Sequence, residues 1–354
     1  MSRFFSKKYD QLEPYTPGEQ PKERKYIKLN TNESPFPPSP KAIKAAEEAS
    51  KNLQLYSDPT CSALTDALAK TYKVDRDEVL PTNGSDEILN FAFMAFCDTD
   101  HPALFADITY GFYSVFAELN GVPFETIPLR EDFSISVDDY INRKGTVFIA
   151  NPNAPTGIAL PLSEIERLLQ SDPDRVVVID EAYVDFGAES AVSLIHKYDN
   201  LLVTQTFSKS RSMAGARLGY GIACKAIIAD LNTVKYSTNP YNVNSMTMAA
   251  GVGTLNDAVY TNQNCRTIIE NRTFAAEELK KLGFEMTDSR ANFLFAKHPS
   301  IDGKTIYTEL RARGILVRHF EKPRISDYNR ITVGSREQIE ILIQTIRTIL
   351  EERI

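Results

Sequence analysis

Cysteine and histidine are scarce in this chain, four of each in 354 residues, and neither is clustered. Cys61, Cys97, Cys224 and Cys265 lie far apart without a C-x-x-C pair, which excludes a disulfide framework and a zinc site and leaves them as core thiols. His101, His196, His298 and His319 show no ligand spacing, so no metal is expected. No apolar run approaches membrane length, and the opening MSRFFSKKYDQ has no signal-peptide core, so no membrane partner and a cytoplasmic location are expected. Positive charge is in deficit. A net charge of -7 argues against nucleic acid as a partner and requires any basic groups that hold an anion to converge locally. Internal repeats and low-complexity tracts are also absent.

What remains is an ordinary globular composition, 42% apolar and 25% charged, in a chain long enough for one large and one small domain. TVFIA, RVVVID, NLLVTQTF and LGYGIA alternate with helical stretches such as LSEIERLLQ, which predicts an α/β large domain with a mostly parallel sheet sandwiched by helices. After residue 261 the character changes. A long helical run through Arg266 to Leu282, FEMTDSRANFLFAKH, a helix near Lys304 to Arg313, ILVRHF, RITVG and a final helix read as a smaller α+β domain. The expected divisions are 1–45 for an N-terminal arm and part of the small domain, 46–261 for the large domain and 262–354 for the rest of the small one. The proline-rich KLNTNESPFPPSP cannot be helix or central strand and is expected to run extended over the active-site face.

The run TFSKSRSMAGARLGYG carries the most chemistry. Lys209 offers an amine, while the hydroxyls of Thr206 and Ser208 and the guanidinium of Arg217 can serve a dianionic phosphate. An amine that condenses with an aldehyde, close to donors for a phosphate, is what pyridoxal phosphate requires. Ala214, Gly215, Ala216 and Gly219 would let backbone approach a flat ring. Taken alone, the segment also reads as a solvated loop with a surface lysine and arginine. With no clustered histidine, Lys209 is the best-supported catalytic base.

A second segment, VVVIDEAYVDF, is a β-branched run that ends in a carboxylate, which describes a buried parallel strand with polar groups at its carboxyl end, where open α/β sheets bind ligands. Asp180 there can hold a proton on a pyridine nitrogen, and Tyr183 can bond the ring's phenolic oxygen. A helix cap and a core aromatic are the plainer readings of the two. Upstream, PTNGSDEILNFAFMAF joins a Gly-Ser turn to an apolar helix, so the backbone amides of Gly84, Ser85 and Asp86 would open an anion site at the helix start. Tyr110, in DITYGFYS, reads either as a stacking ring or as a core tyrosine.

Together with NPNAPTG, these segments resemble the fold-type-I pyridoxal-phosphate aminotransferases, in the family's order. The resemblance implies that Lys209 bonds the cofactor, Asp180 faces its pyridine nitrogen, Tyr183 its phenolic oxygen and Arg217 its phosphate, with Tyr110 stacked on the ring. One position departs. The family places asparagine directly before Pro-Thr-Gly, where this chain has Ala154, so Asn153 or Asn151 is left to supply the amide.

Arg318 in GILVRHF and Arg330 in NRITVG narrow the resemblance to the histidinol-phosphate aminotransferases, in which both positions carry arginine and hold the substrate phosphate. LEPYTPGEQ, KLNTNESP and TNPYNVN resemble that subfamily's substrate-pocket segments and place Tyr15, Asn32, Tyr241 and Asn242 there. LQLYSDPT resembles its Y-x-D-P stretch, from which Tyr56 would reach the cofactor phosphate of a partner subunit in a homodimer. The resemblance implies transamination of L-histidinol phosphate with 2-oxoglutarate, giving imidazole-acetol phosphate and L-glutamate, in histidine biosynthesis. A broad aromatic aminotransferase and a threonine-phosphate decarboxylase on the same scaffold are the alternatives.

Overall fold

The computed structural model describes residues 2–10 and 12–353. A two-residue strand, β1 (Ile27–Lys28), precedes the seven strands of the main sheet: β2 (Val79–Thr82), β3 (Ala103–Ala106), β4 (Phe124–Ile127), β5 (Thr146–Ala150), β6 (Val177–Asp180), β7 (Leu201–Thr206) and β8 (Gly219–Ala223). Five short strands follow: β9 (Glu285–Met286), β10 (Phe293–Lys297), β11 (Ile315–Leu316), β12 (Arg318–His319) and β13 (Asn329–Thr332).

The main sheet has the order β2-β8-β7-β6-β5-β3-β4. Only β8 runs antiparallel to its neighbours. Because both faces are covered, β5, β6 and β7 are buried at every residue, as their near-continuous apolar runs require. The period of two then divides their side chains between two cores. Val147, Ile149, Val177, Ile179, Leu201 and Val203 enter one, and Phe148, Ala150, Val178 and Leu202 enter the other. The first core is closed by helices such as Leu162–Ser171, whose Ile165, Leu168 and Leu169 form one buried stripe. On the other face Phe93, from helix Ser85–Phe96, stacks on Phe148 with ring centroids 4.1 Å apart. One consequence governs the site. The carboxyl ends of β2, β3, β5, β6 and β7 all emerge along one edge of the sheet, and the loops that follow converge there.

The smaller unit is a four-stranded antiparallel sheet of order β12-β13-β10-β9, with the parallel pair β1–β11 beside it. Its core joins Leu29 from the beginning of the chain to Leu294, Leu310, Ile331, Leu342 and Ile346, so both ends of the chain build it. Residues 45/46 and 261/262, where the sequence suggests divisions, fall inside the helices Pro40–Ala49 and Ala258–Lys281. Ala42 packs in the large-domain core; on the long helix Cys265 and Ile268 pack with Phe186, from the turn after β6, whereas Ala275 and Leu279 pack in the small-unit core, so the long helix passes from one unit to the other. Of the arm's prolines, Pro40 begins a helix at its first position, where a missing N–H costs nothing. Asn30, Thr31 and Asn32 of the same arm have no regular structure and lie across the sheet edge.

Candidate active site

Lys209, Asp180, Tyr183, Thr206, Ser208, Ser85, Asp86, Tyr110 and Arg217 line one cavity of about 470 Å³ at that edge. Asp180 ends β6, and its carboxylate is buried. It accepts hydrogen bonds from Tyr113 Oη at 3.1 Å and from the Ala182 amide at 3.2 Å. Loss of solvent outweighs those bonds and pushes the Asp180 carboxyl up to about 6. Tyr183 presents its hydroxyl to Asn32 Nδ2 at 2.9 Å and lies edge-on to Phe293. Lys209 Nζ donates to Thr31 O at 3.3 Å and lies 5.8 Å from the Tyr183 ring centre.

The phosphate end is formed where three segments touch. Gly84, in the left-handed region at φ 82°, turns the chain into helix Ser85–Phe96. A Cβ at Gly219 would collide with the backbone of Gly84 and Ser85, so only glycine permits this approach, and at Gly84 the positive φ itself disfavours any side chain. Thr206 Oγ1 donates to Ser208 Oγ at 3.0 Å and accepts from the Ser208 amide at 3.1 Å, fixing both hydroxyls beside the helix start. Asp86 organises the remaining donors: it accepts from Arg217 Nη2 at 2.9 Å and from Tyr110 Oη at 2.7 Å. Free helix-start amides, two hydroxyls and an arginine at one end, and a buried carboxylate at the other, suit a planar pyridine that carries a phosphate. The walls between them are lined with Ala150, Ala154, Ala182, Ala214 and Gly215, small enough to admit a flat ring.

A second cavity of about 470 Å³ shares Tyr110, Tyr183 and Lys209 with the first and extends to Tyr15, Asn32, Arg318 and Arg330. Arg318 and Arg330 are paired residues of β12 and β13, so both guanidinium groups leave the same face of the sheet. Arg330 lies 5.4 Å above Phe293 and 5.7 Å from the Phe320 ring centre, donates to Asn30 O at 3.2 Å and leaves its buried Nε without a protein partner among the described residues. Burial, together with Arg318 nearby, lowers its pKa. Arg318 is held loosely, at 3.4 Å from the carbonyls of Thr16 and Pro17. Tyr15 packs on Phe112 with centroids 4.3 Å apart and closes this end.

Five expected residues stand elsewhere. Asn153 lines neither cavity, because its Nδ2 donates to Ile108 O at 2.9 Å and its Oδ1 accepts from Thr109 Oγ1 at 2.7 Å. Asn151 is likewise committed to its own loop through Leu160. The amide that does reach the Tyr183 hydroxyl is that of Asn32, expected only at the substrate. Tyr56 and Tyr241 stack on each other at 4.8 Å and line neither cavity of their own chain, with Tyr56 85% exposed. Asn242 bonds Glu87 at 2.5 Å beneath the helix start. Sequence reasoning passed over Tyr113, the donor to Asp180, which stands in the first turn of helix Phe112–Asn120. Among the described residues no group of three or more side chains suits a metal ion, and no helix is long and apolar enough to cross a membrane.

A family model described as aminotransferase class I and II matches residues 24–346. The histidinol-phosphate aminotransferase of Acinetobacter baumannii (strain ATCC 17978) is 51% identical over 349 residues, 98% of this chain and 97% of the relative. That of Clostridium beijerinckii is 46% identical over 351 residues, covering 99% and 98%. Among solved structures, the histidinol-phosphate aminotransferase from Clostridium acetobutylicum superposes with a TM-score of 0.86 at 24% identity, over 92% of this chain and 99% of that one. The Sinorhizobium meliloti enzyme, in complex with pyridoxal-5'-phosphate, superposes with a TM-score of 0.84 at 22% identity, over 92% of both chains. These last two likenesses are of fold.

Proposed function

The chain belongs to the class I and II aminotransferases and, within them, to the histidinol-phosphate aminotransferases, and from that premise we propose that it moves the amino group of L-histidinol phosphate to 2-oxoglutarate with pyridoxal phosphate as cofactor. The observation that carries this reading is the pair Arg318 and Arg330, two cations on one face of one sheet opening into the cavity that adjoins Lys209. A carboxylate is matched by one guanidinium; a phosphate dianion has oxygens and charge for two.

When bound, pyridoxal phosphate supplies an aldehyde carbon that bonds amines and a ring that withdraws the electron pair left when the substrate Cα loses its proton. Lys209 would hold the cofactor through its amine and, with that amine free, would serve as the base that takes the substrate Cα proton. Asp180 would keep a proton on the ring nitrogen, and its burial would strengthen that pairing. Tyr183, whose hydroxyl accepts from Asn32 Nδ2, would hydrogen-bond the ring oxygen. Ser85, Thr206, Ser208 and Arg217 bind the cofactor phosphate, with Asp86 setting the direction of Arg217. Arg318 and Arg330 hold the substrate phosphate, and in the second half-reaction their rotatable stems re-aim them at a carboxylate of 2-oxoglutarate.

The exposed Tyr56–Tyr241 pair, with Leu53 and Leu55 beside it also exposed, supports assembly as a homodimer in which Tyr56 completes the phosphate site of the partner. We assign the enzyme to the cytoplasm, in keeping with a reaction on small polar metabolites. A single-turnover absorbance experiment tests the function. The yellow protein is mixed separately with L-histidinol phosphate, L-histidinol, L-phenylalanine and O-phosphothreonine. Loss of the yellow band only with histidinol phosphate is expected. Equal reaction with phenylalanine, or carbon dioxide release from phosphothreonine, would replace the proposed substrate.

A further inference from the structure

The two residues that follow Lys209 both turn away from the cavity to the same carboxylate. Asp185 accepts a hydrogen bond from the Ser210 hydroxyl, and its Oδ2 lies 3.2 Å from Arg211 Nη1. Ser210 and Arg211 are buried, whereas the Asp185 carboxylate that joins them is open to solvent on its outer side. Arg211 is anchored from the other side as well, Nη2 donating to Tyr72 Oη at 3.0 Å. Tyr72 and Tyr220 both donate to Gln205 Oε1, at 2.6 and 2.8 Å, and Gln205 Nε2 donates to Glu181 at 2.8 Å. Glu181 follows Asp180 in the chain, and Asp185 comes two residues after Tyr183. The loop that bears the amine is therefore tied, through side chains that never enter the cavity, to the strand and turn that bear Asp180 and Tyr183. Lys209 Nζ itself has one hydrogen-bond partner among the described residues, the Thr31 carbonyl.

We propose that Asp185 is a positioning residue for Lys209: through Ser210 and Arg211 it fixes where the amine stands relative to Asp180 and Tyr183. The proposal rests on Lys209 being the cofactor-bonding amine. Reacting atoms must come within about 3–3.5 Å, and a displacement of about 1 Å can lower a rate about a hundredfold. The substrate phosphate is held by Arg318 and Arg330, on another element, so loosening this loop affects the chemical step and spares binding.

Asp185→Ala, Asp185→Glu, Ser210→Ala, Asp185→Ala/Arg211→Met and Lys209→Ala test it. In the holoenzyme D185A should lower kcat on the order of tenfold while KM for L-histidinol phosphate stays within about twofold. Cofactor-free D185A should also capture added pyridoxal phosphate, followed by visible absorbance, more slowly than the unaltered protein. D185E, which restores the carboxylate, should recover most of both rates. S210A removes one tether without stranding a charge, should show the same split to a smaller degree, and keeps the test decisive where D185A does not fold. Unchanged kcat and capture rate in folded D185A or S210A would overturn the proposal. It would also be overturned if D185A/R211M, which leaves no unpaired buried charge, regained kcat along with Tm, since that is the behaviour of an ion pair that serves stability alone. A borohydride-stable adduct of K209A with the cofactor would remove the assignment of Lys209 itself, and this proposal with it, whatever the Asp185 variants do.

Discussion

Arg318 and Arg330 are direct partners across the antiparallel strands β12 and β13, two like charges on one face. Such a pair repels unless an anion lies between its members. Arg330→Met should therefore lower kcat/KM for L-histidinol phosphate on the order of a hundredfold, the worth of a charge-assisted hydrogen bond. It should also weaken the half-reaction with 2-oxoglutarate. Single-turnover rates for each half-reaction check this, and loss in only one would refute a shared anion site. Inorganic phosphate should raise Tm in the unaltered protein and not in R330M.

Asp180 and Glu181 make the cofactor-free protein sensitive to pH. Burial raises Asp180 from 3.8 to about 6 and Glu181 from 4.5 to about 7, so the folded state binds protons more tightly than the unfolded one. Their contribution to stability is fully present below the unfolded values and is lost as pH climbs through about 6 and 7. Thermal denaturation should show a lower Tm at pH 8 than at pH 5, with Asp180→Asn removing part of the difference. Bound pyridoxal phosphate should reduce it, because the ring nitrogen gives Asp180 a cationic partner.

Tyr113 donates to Asp180 at 3.1 Å in full burial, and this bond acts against the upward shift of the carboxyl. Tyr113→Phe keeps the ring packing on Phe105 and Phe148 but removes the donor. It should lower kcat on the order of tenfold, within the range of a hydrogen bond to a charged group, with little change in KM. Steady-state kinetics decide the matter; an unchanged kcat would show that Asp180 needs no such support.

Tyr56 gives a test of assembly. If it serves the partner's site, Tyr56→Ala and Lys209→Ala homodimers should each be impaired, whereas unfolding and refolding them together should restore activity, because each mixed dimer holds one site with both side chains intact. No gain on mixing would place Tyr56 outside the partner's site.

The chemistry-bearing residues differ in how far they could be read. Lys209, Thr206, Ser208 and Arg217 lie within one loop-and-strand segment, so their proximity follows from chain connectivity, and their cavity contains all four. Asp180 was legible because an all-buried strand must end in something polar at the ligand edge. Asn153 misled for a physical reason. An amide has no sequence signal for which partner it takes, and here a backbone carbonyl and two hydroxyls of its own neighbourhood hold it. Tyr113 and Asp185 were passed over because each acts on a residue distant in sequence or hidden behind the cavity wall.

By itself, then, the sequence determined the α/β class, the buried strands and the local segments that bear the candidate phosphate donors, since periodicity, glycine placement and short-range spacing act within a few residues. Tertiary structure alone decided that Arg318 and Arg330 stand opposite each other, that Asn32 reaches Tyr183 and that one helix packs Cys265 and Ile268 on Phe186 and Ala275 and Leu279 in the small core. These are matters of strand register and of packing between segments far apart in the chain, where the competing partners are settled only when the whole core closes.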